Sequence, residues 1–139
     1  MRQQTTEFHV ETQGRRLYEI TSEVRGWVRT SGIAQGLLTL YIRHTSASLT
    51  IQENADPEVQ RDLERFLDRL VPQGDPMFRH TMEGPDDMPA HVRSMLTTTS
   101  LGIPVAEGDP VFGTWQGIYL YEHRTAPHRR RVVAHLLGD

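Results

Sequence analysis

The amino-acid sequence predicts an α+β fold, a compact single domain built mainly from antiparallel β-sheet with about three helices. Most patterned segments alternate apolar and polar residues, which is the period of a half-buried strand. Only three segments have the spacing of amphipathic helices, and these are inserted among the strands. Strands and helices do not alternate regularly, so the crossover units of a parallel sheet are not expected.

The first part of the chain predicts two strands and a helix. Residues 5–11 and 17–20 are strand-like segments separated by Gly14, which predicts a hairpin in which they pair. Thr21 is expected to cap the next helix, whose apolar residues recur at helical spacing. Gly32 is expected to end that helix.

Two further strands place a histidine at the edge of the core. In residues 37–43 every second residue is apolar, and His44 is the next residue in that series. The apolar face consists of Leu38, Leu40 and Ile42. Alternation therefore delivers His44 at the rim of the core, and a second strand follows directly in residues 47–51.

Residues 56–70 have the strongest helical pattern. Asp56 followed by Pro57 is typical of a helix start, because aspartate caps the free N–H groups and proline fits the first helical position. One face is charged and the other is an apolar stripe. The stripe consists of Val59, Leu63, Phe66, Leu67 and Leu70.

The rest of the chain predicts a short helix and four strands. Asp87 can cap a helix that runs to about Thr98. The predicted strands are residues 101–105, 111–112, 117–122 and 131–137. The last of these is apolar on both faces, so it is expected to be central in a sheet or covered.

Length and composition bound the function. A chain of 139 residues is expected to form one domain over residues 1–139. The formal net charge is -3 with mixed signs, and 7% of residues are aromatic, so nucleic acid is not an expected partner. No apolar run approaches the roughly 20 residues that span a bilayer. We therefore expect no membrane contact and a cytoplasmic location.

The chain has no cysteine, so a metal site would need imidazole and carboxylate ligands. His44, His80 and His91 are the best trio. Three neutral imidazoles suit Zn²⁺ or a similar divalent ion and leave a fourth position open. His80 and His91 flank a Gly-Pro break at which the chain can fold back. The alternative is that these are surface or hydrogen-bonded core histidines.

Acidic residues between these histidines are candidates for proton transfer or for orienting an imidazole. Glu83, Asp86 and Asp87 could serve as general base or as partners of the metal ligands, with His44 and His91 in acid–base roles. For Asp87 the simpler interpretation is the helix cap. For Glu83 the alternative is a solvated loop charge.

Hydroxyl groups next to His44 are candidates for binding a phosphate group. Thr45, Ser46 and Ser48 combine hydroxyls with backbone donors at a strand junction. A serine nucleophile paired with His44 is conceivable, although the Gly-x-Ser-x-Gly motif is absent. The alternative is ordinary strand residues that face outward.

Two further segments carry candidate substrate-binding residues. Trp115 and Gln116 lie between two glycines, an arrangement that can hold a planar ring or a phosphate group. The alternative is a hairpin turn with a packed tryptophan. Arg124 could pair with an anion, and its alternative is an internal salt bridge.

Three blocks of the sequence resemble signature blocks of the YjbQ family. They are HTSASLTIQENADP at residues 44–57, EGPDDMPAH at residues 83–91 and GTWQGIY at residues 113–119. Members are identified as secondary thiamine-phosphate synthase enzymes or remain uncharacterised. The resemblance implies a compact α+β domain with a sandwich-like core, commonly a homotrimer. It also implies a polar, candidate metal-binding site where the histidine-bearing blocks converge.

Three functional hypotheses follow. The first is a transferase similar to thiamine-phosphate synthase, in which a thiazole phosphate nitrogen displaces diphosphate from a pyrimidine ester. It needs a phosphorylated small-molecule substrate and a divalent metal, with Zn²⁺ the best fit, and no organic cofactor. The second is a metal- or histidine-dependent small hydrolase. The third is a trimeric ligand- or metal-binding protein without turnover. The sequence does not separate the last two, because binding and catalytic histidines look alike in one dimension.

Overall fold

Eight strands and three helices make up the fold in a computed structural model that describes residues 1–139. The strands are β1 (Arg2–Gln13), β2 (Arg16–Glu19), β3 (Gly36–Ile42), β4 (Ala47–Glu53), β5 (Ser100–Ala106), β6 (Asp109–Pro110), β7 (Gln116–Glu122) and β8 (Pro127–Gly138). The helices are α1 (Thr21–Ser31), α2 (Pro57–Leu70) and α3 (Asp87–Leu96). None of the helices offers an apolar stretch long enough to cross a membrane.

The strands form two antiparallel sheets. The larger has the order β1-β8-β3-β5-β6, and the smaller has the order β2-β7-β4. A core cluster of 16 buried residues draws on both sheets and on α1. The predicted α+β class, with mostly antiparallel sheet and three helices, is confirmed.

The buried face of β3 and its neighbour β8 matches the alternation in the sequence. Leu38, Leu40 and Ile42 are buried as predicted. Their partners on β8 are Leu136, Ala134 and Val132, and all three are buried too. The prediction that β8 is central is confirmed, because β8 lies between β1 and β3. Only one face of β8 is fully buried, however.

The predicted hairpin between the first two strands is wrong. All twelve residues of β1 pair with β8 in the larger sheet, whereas β2 pairs with β7 in the smaller one. Gly14, with φ +106°, lets the chain cross between the sheets at this point. Gly14 favours a turn on local grounds. Pairing with β8 nevertheless gives β1 a longer series of backbone hydrogen bonds than the shorter β2 could provide.

The ends of the first two helices are set by different groups. Gly32 ends α1 in the left-handed conformation, as predicted. The prediction that Thr21 caps α1 is wrong, because its hydroxyl donates to Glu19 and accepts from the Ile118 N–H. Asp56 caps α2 as predicted, and its carboxylate accepts from the Glu58 N–H at 2.9 Å.

The apolar stripe of α2 is only partly covered. Leu67 packs against Leu17, Tyr119 and Tyr121 on the outer side of the smaller sheet, and no residue of α2 is fully buried. The predicted strand at residues 111–112 is also displaced. Its place is taken by β6, whose short hairpin with β5 closes at Gly108.

Two glycine substitutions test the close approach of β3 and β8. A Cβ at Gly36 would lie 2.2 Å from the Leu137 carbonyl oxygen, so Gly36→Ala should lower the free energy of unfolding by about 1–3 kcal/mol. A Cβ at Gly26, within α1, meets no atom within 4 Å. Gly26→Ala should therefore raise that free energy by about 0.5–1 kcal/mol. Urea unfolding of both variants measures the difference, and equal effects would contradict the packing described.

Candidate metal site and adjoining cavity

Two histidines meet one buried aspartate at the start of α3. Asp87 and His91 are one helical turn apart and therefore share a face of α3. His80 reaches the same point from the preceding loop, which turns back at Gly84 with φ +102°. The Asp87 Oδ2 atom lies 2.8 Å from His80 Nε2 and 3.1 Å from His91 Nε2.

This His80–Asp87–His91 group has the composition of a three-ligand metal site. One ligand atom from each residue lies within 4.8 Å of the others. Around a tetrahedral Zn²⁺ with bonds of about 2.0–2.1 Å, ligand atoms would be about 3.4 Å apart. His80 is half-exposed on a loop, so a small movement of its ring can close the group around an ion. Three protein ligands leave the fourth position open.

Arg124 holds both acids at the start of α3. Its Nη1 donates to Asp87 Oδ1 at 2.8 Å, and its Nε donates to Asp86 Oδ2 at 3.0 Å. Its Nη2 donates to the Glu83 carbonyl at 2.9 Å. All three guanidinium nitrogens are thus used within the protein. The anion-binding role predicted for Arg124 stays a prediction, and the alternative salt bridge is present.

The two acids have low pKa values. Burial raises the pKa of Asp86, but hydrogen bonds from Arg124 and Thr125 outweigh it and bring the pKa from 3.8 to about 2. Burial likewise raises the pKa of Asp87, yet the His80 hydrogen bond and the Arg124 charge bring it below its ordinary value. Both carboxylates are therefore ionised at neutral pH and can face cations.

The predicted capping role of Asp87 is wrong. The helix begins one residue earlier than predicted, Asp86 occupies the cap position, and no side-chain cap bond is formed. The Asp87 carboxylate instead points inward to His80, His91 and Arg124. Glu83 lies on the exposed loop with its Oε2 atom 3.8 Å from His80 Nε2.

His44 lies outside this three-ligand group. Its Nε2 accepts from the Arg131 backbone N–H at 2.8 Å. Burial, together with the charges of Arg130, Arg131 and Arg43, lowers the pKa of His44. The structure thus places Asp87 beside the two other predicted histidine ligands, and His44 is a neutral imidazole in a cavity that His91 also lines.

That cavity has a volume of about 830 Å³ and a polar, cationic lining. The predicted residues Thr45 and Ser46 contribute hydroxyls to it. The other polar residues in the lining are Ser94, Thr99, Arg43 and Arg130. No aspartate or glutamate is among its lining residues. Such a lining favours an anionic ligand.

Ser48 is buried and is not among the residues that line the cavity. Its Oγ lies 2.9 Å from His123 Nε2 and accepts from Thr97 at 2.7 Å. Burial lowers the pKa of His123 to about 3, so this histidine is neutral. The Ser48–His123 link is not predictable from the sequence, because a lone histidine at a strand end carries no signal of its burial.

Trp115 and Gln116 lie at the other end of β7 from Arg124. A seven-residue strand spans about 20 Å, so these two residues are remote from the three-ligand group of the same chain. Trp115 is 62% exposed. The Gln116 side chain accepts from the Gly113 N–H at 2.8 Å and lines a separate polar cavity.

Comparisons with known proteins place this chain in a family. The family model described as UPF0047 protein YjbQ-like matches residues 6–139. The chain belongs to the YjbQ family. UPF0047 protein sll1880 of Synechocystis is 51% identical over 130 residues, covering 94% of this chain and 88% of that protein. UPF0047 protein YjbQ of Escherichia coli O157:H7 is 51% identical over 104 residues, 75% of each chain.

Solved structures of similar proteins have the same fold. Hypothetical protein APE1520 from Aeropyrum pernix has a TM-score of 0.88 at 31% identity, covering 98% of this chain and 99% of that one. An uncharacterised YjbQ/UPF0047 family protein from Clostridium acetobutylicum has a TM-score of 0.86 at 35% identity, covering 95% and 99%.

The low pKa of Asp86 predicts a specific loss of stability in acid. A carboxylate whose pKa is depressed in the folded state stabilises the fold above its unfolded pKa, and this contribution disappears as the pH falls from about 4 towards 2. The difference in free energy of unfolding between wild type and Asp86→Asn should shrink by about 2 kcal/mol between pH 5.5 and pH 2. Urea unfolding at both pH values measures it. A difference independent of pH would show that Asp86 is not held as described.

Proposed function

We propose that this YjbQ-family chain is a divalent-metal-dependent enzyme that acts on a phosphorylated small molecule. The observation that carries the proposal is the His80–Asp87–His91 group, with an open fourth ligand position, beside a cavity that His91 also lines. Two imidazoles and a carboxylate with an open position form a ligand set that Zn²⁺ accepts in catalytic sites. When bound, such an ion would act as a Lewis acid and stabilise negative charge on substrate oxygens.

The residues around the group support this assignment. Arg124 fixes the Asp87 carboxylate through its second oxygen, so that Oδ2 is directed to both histidines. Outer partners of this kind orient metal ligands and tune their basicity. Glu83, close to His80, is a candidate proton acceptor at the exposed side of the group.

The favoured reaction is a transfer similar to that of thiamine-phosphate synthase. A thiazole phosphate nitrogen would form a C–N bond to the methylene carbon of a pyrimidine diphosphate ester, and the C–O bond to diphosphate would break. The cationic cavity would bind the phosphate groups, and the neutral His44 imidazole would exchange protons with them. Trp115 and Gln116 could hold a ring only if a neighbouring copy supplies them, because they are remote within one chain.

A hydrolase is the second candidate. The open ligand position beside a polar cavity is also what metal-activated water requires. The same residues would then bind a phosphate or carbonyl substrate. Retention of a ligand without turnover would instead favour the non-catalytic binding protein.

A homotrimer is part of the proposal. Leu37, Tyr41 and Leu137 are substantially exposed. In the strand register Leu37 faces Leu137, and Tyr41 faces Val133. These side chains therefore share the face of the larger sheet that points away from the core, and a second copy could cover this apolar patch.

Light scattering at micromolar concentration tests the assembly. We expect a mass near three times the 15.9 kDa of one chain. Tyr41→Glu should dissociate the assembly, because a carboxylate at a buried interface loses its hydration. A wild-type chain that is monomeric at this concentration would contradict the trimer.

Metal content tests the site itself. Elemental mass spectrometry on untagged protein should find close to one divalent ion per chain, and this ion should be absent from His80→Ala and His91→Ala. His135→Ala is the matched control, because His135 lies on β8 outside the group and hydrogen-bonds to Gln3. Folded wild-type protein that binds no ion even after reconstitution would refute the metal site.

Turnover tests the reaction. Purified protein with the pyrimidine diphosphate ester and the thiazole phosphate should release diphosphate in a metal-dependent way, and His91→Ala should lose at least about 100-fold in rate. A panel of phosphate esters tested in parallel separates the hydrolase. Equal rates in wild type and His91→Ala would contradict both enzymes.

A further inference from the structure

Arg130 is a buried arginine whose guanidinium is only partly used by the protein. Its side chain is 5% exposed. Nε and Nη2 form a fork on the Glu122 carboxylate, and Nη2 also donates to the Ser46 hydroxyl at 3.0 Å. Nη1 makes no hydrogen bond within the protein. It is also not fully enclosed, so part of its surface is accessible. Because Arg130 lines the cavity, its two Nη1 protons are available to a ligand there.

The fork on Glu122 makes this donor rigid. Glu122 is fully buried, and its carboxylate also accepts from the Thr12 hydroxyl at 2.6 Å and from the Arg124 N–H at 3.1 Å. Bidentate pairing fixes the plane of a guanidinium. The Nη1 protons are thus oriented before any ligand arrives, which lowers the entropic cost of binding.

Two hydroxyls beside Arg130 add uncommitted donors. The Ser46 Oγ accepts from Arg130 and donates to no group in the protein, so its proton is free for a ligand. The Thr45 hydroxyl is exposed, lines the same cavity and has no partner in the protein. Hydroxyls that flank a guanidinium match the oxygens of a tetrahedral oxyanion.

The charge around Arg130 favours an anion. Arg43 also lines the cavity, and no carboxylate does. Burial and the charges of Arg130, Arg131 and Arg43 lower the pKa of His44, and together they outweigh the opposite effect of Glu122. Arg124, in contrast, has all its guanidinium nitrogens occupied.

We propose that Arg130 Nη1, with the Ser46 and Thr45 hydroxyls, is the phosphate-anchoring subsite of this cavity. The identity of the ligand as a phosphate ester rests on the proposed function, whereas the anion site rests on the contacts of Arg130. A cavity of about 830 Å³ is large enough for a phosphate group attached to a larger organic molecule. Arg130 therefore takes the anion-binding role that the sequence assigned to Arg124.

Phosphate binding to metal-free protein tests this subsite apart from the metal site. After chelation, titration calorimetry with inorganic phosphate and with diphosphate should detect binding to wild type. Arg130→Lys should weaken it about tenfold to a hundredfold, because lysine keeps the charge but loses the fork. Arg131→Lys is the matched control. It lies next to Arg130 on β8 but is largely exposed and outside the cavity lining, so binding should be unchanged.

Side-chain ¹⁵N spectra of the arginines in wild-type protein test the subsite without depending on whether a variant folds. Saturating phosphate should shift and sharpen the Arg130 Nη signals while the Arg124 signals stay in place. No phosphate binding by wild type, equal binding by Arg130→Lys, or unshifted Arg130 signals would each overturn the proposal. If wild type binds phosphate but no metal ion, the metal-dependent enzyme is refuted while the phosphate subsite is supported.

Discussion

The ion pairs between Arg124 and the two acids that open α3 are the constraint on which the site depends. They join the end of β7 to the start of α3, so the small sheet fixes where the helix begins. Asp86 and Asp87 are both buried, and loss of Arg124 would leave two carboxylates without a compensating charge. The same pairing directs the free oxygen of Asp87 to His80 and His91, which makes a structural interaction the basis of the ligand geometry.

Three consecutive residues, at the end of β7 and just beyond it, position three different features of the site. Glu122 orients Arg130 in the cavity wall, His123 hydrogen-bonds to buried Ser48, and Arg124 holds the acids of α3. Successive side chains of a strand point to opposite faces, so one strand end can serve separate partners. The cavity, the buried link and the three-ligand group are therefore positioned together by a single short segment.

Local patterns predicted much of the fold and part of the site. The alternation that ends at His44, the cap at Asp56 and the stop at Gly32 depend on neighbouring residues, and all are found in the structure. The pairing of β1 with β8 was not predictable, because its partner lies more than 100 residues away. The favoured interpretation of Asp87 as a helix cap failed for a similar reason, since the carboxylate pairs instead with Arg124, which is 37 residues distant.

By itself the sequence determined the α+β class, the three helices, the family resemblance and two of the three residues of the ligand group. The tertiary structure decided which charged side chains are buried and what they pair with. Arg129, Arg130 and Arg131 are consecutive and chemically identical, yet only Arg130 is buried. Because both faces of β8 carry apolar residues and an arginine, its sequence alone did not show which face meets the core. Sheet pairing settled that choice, and with it which arginine faces the cavity.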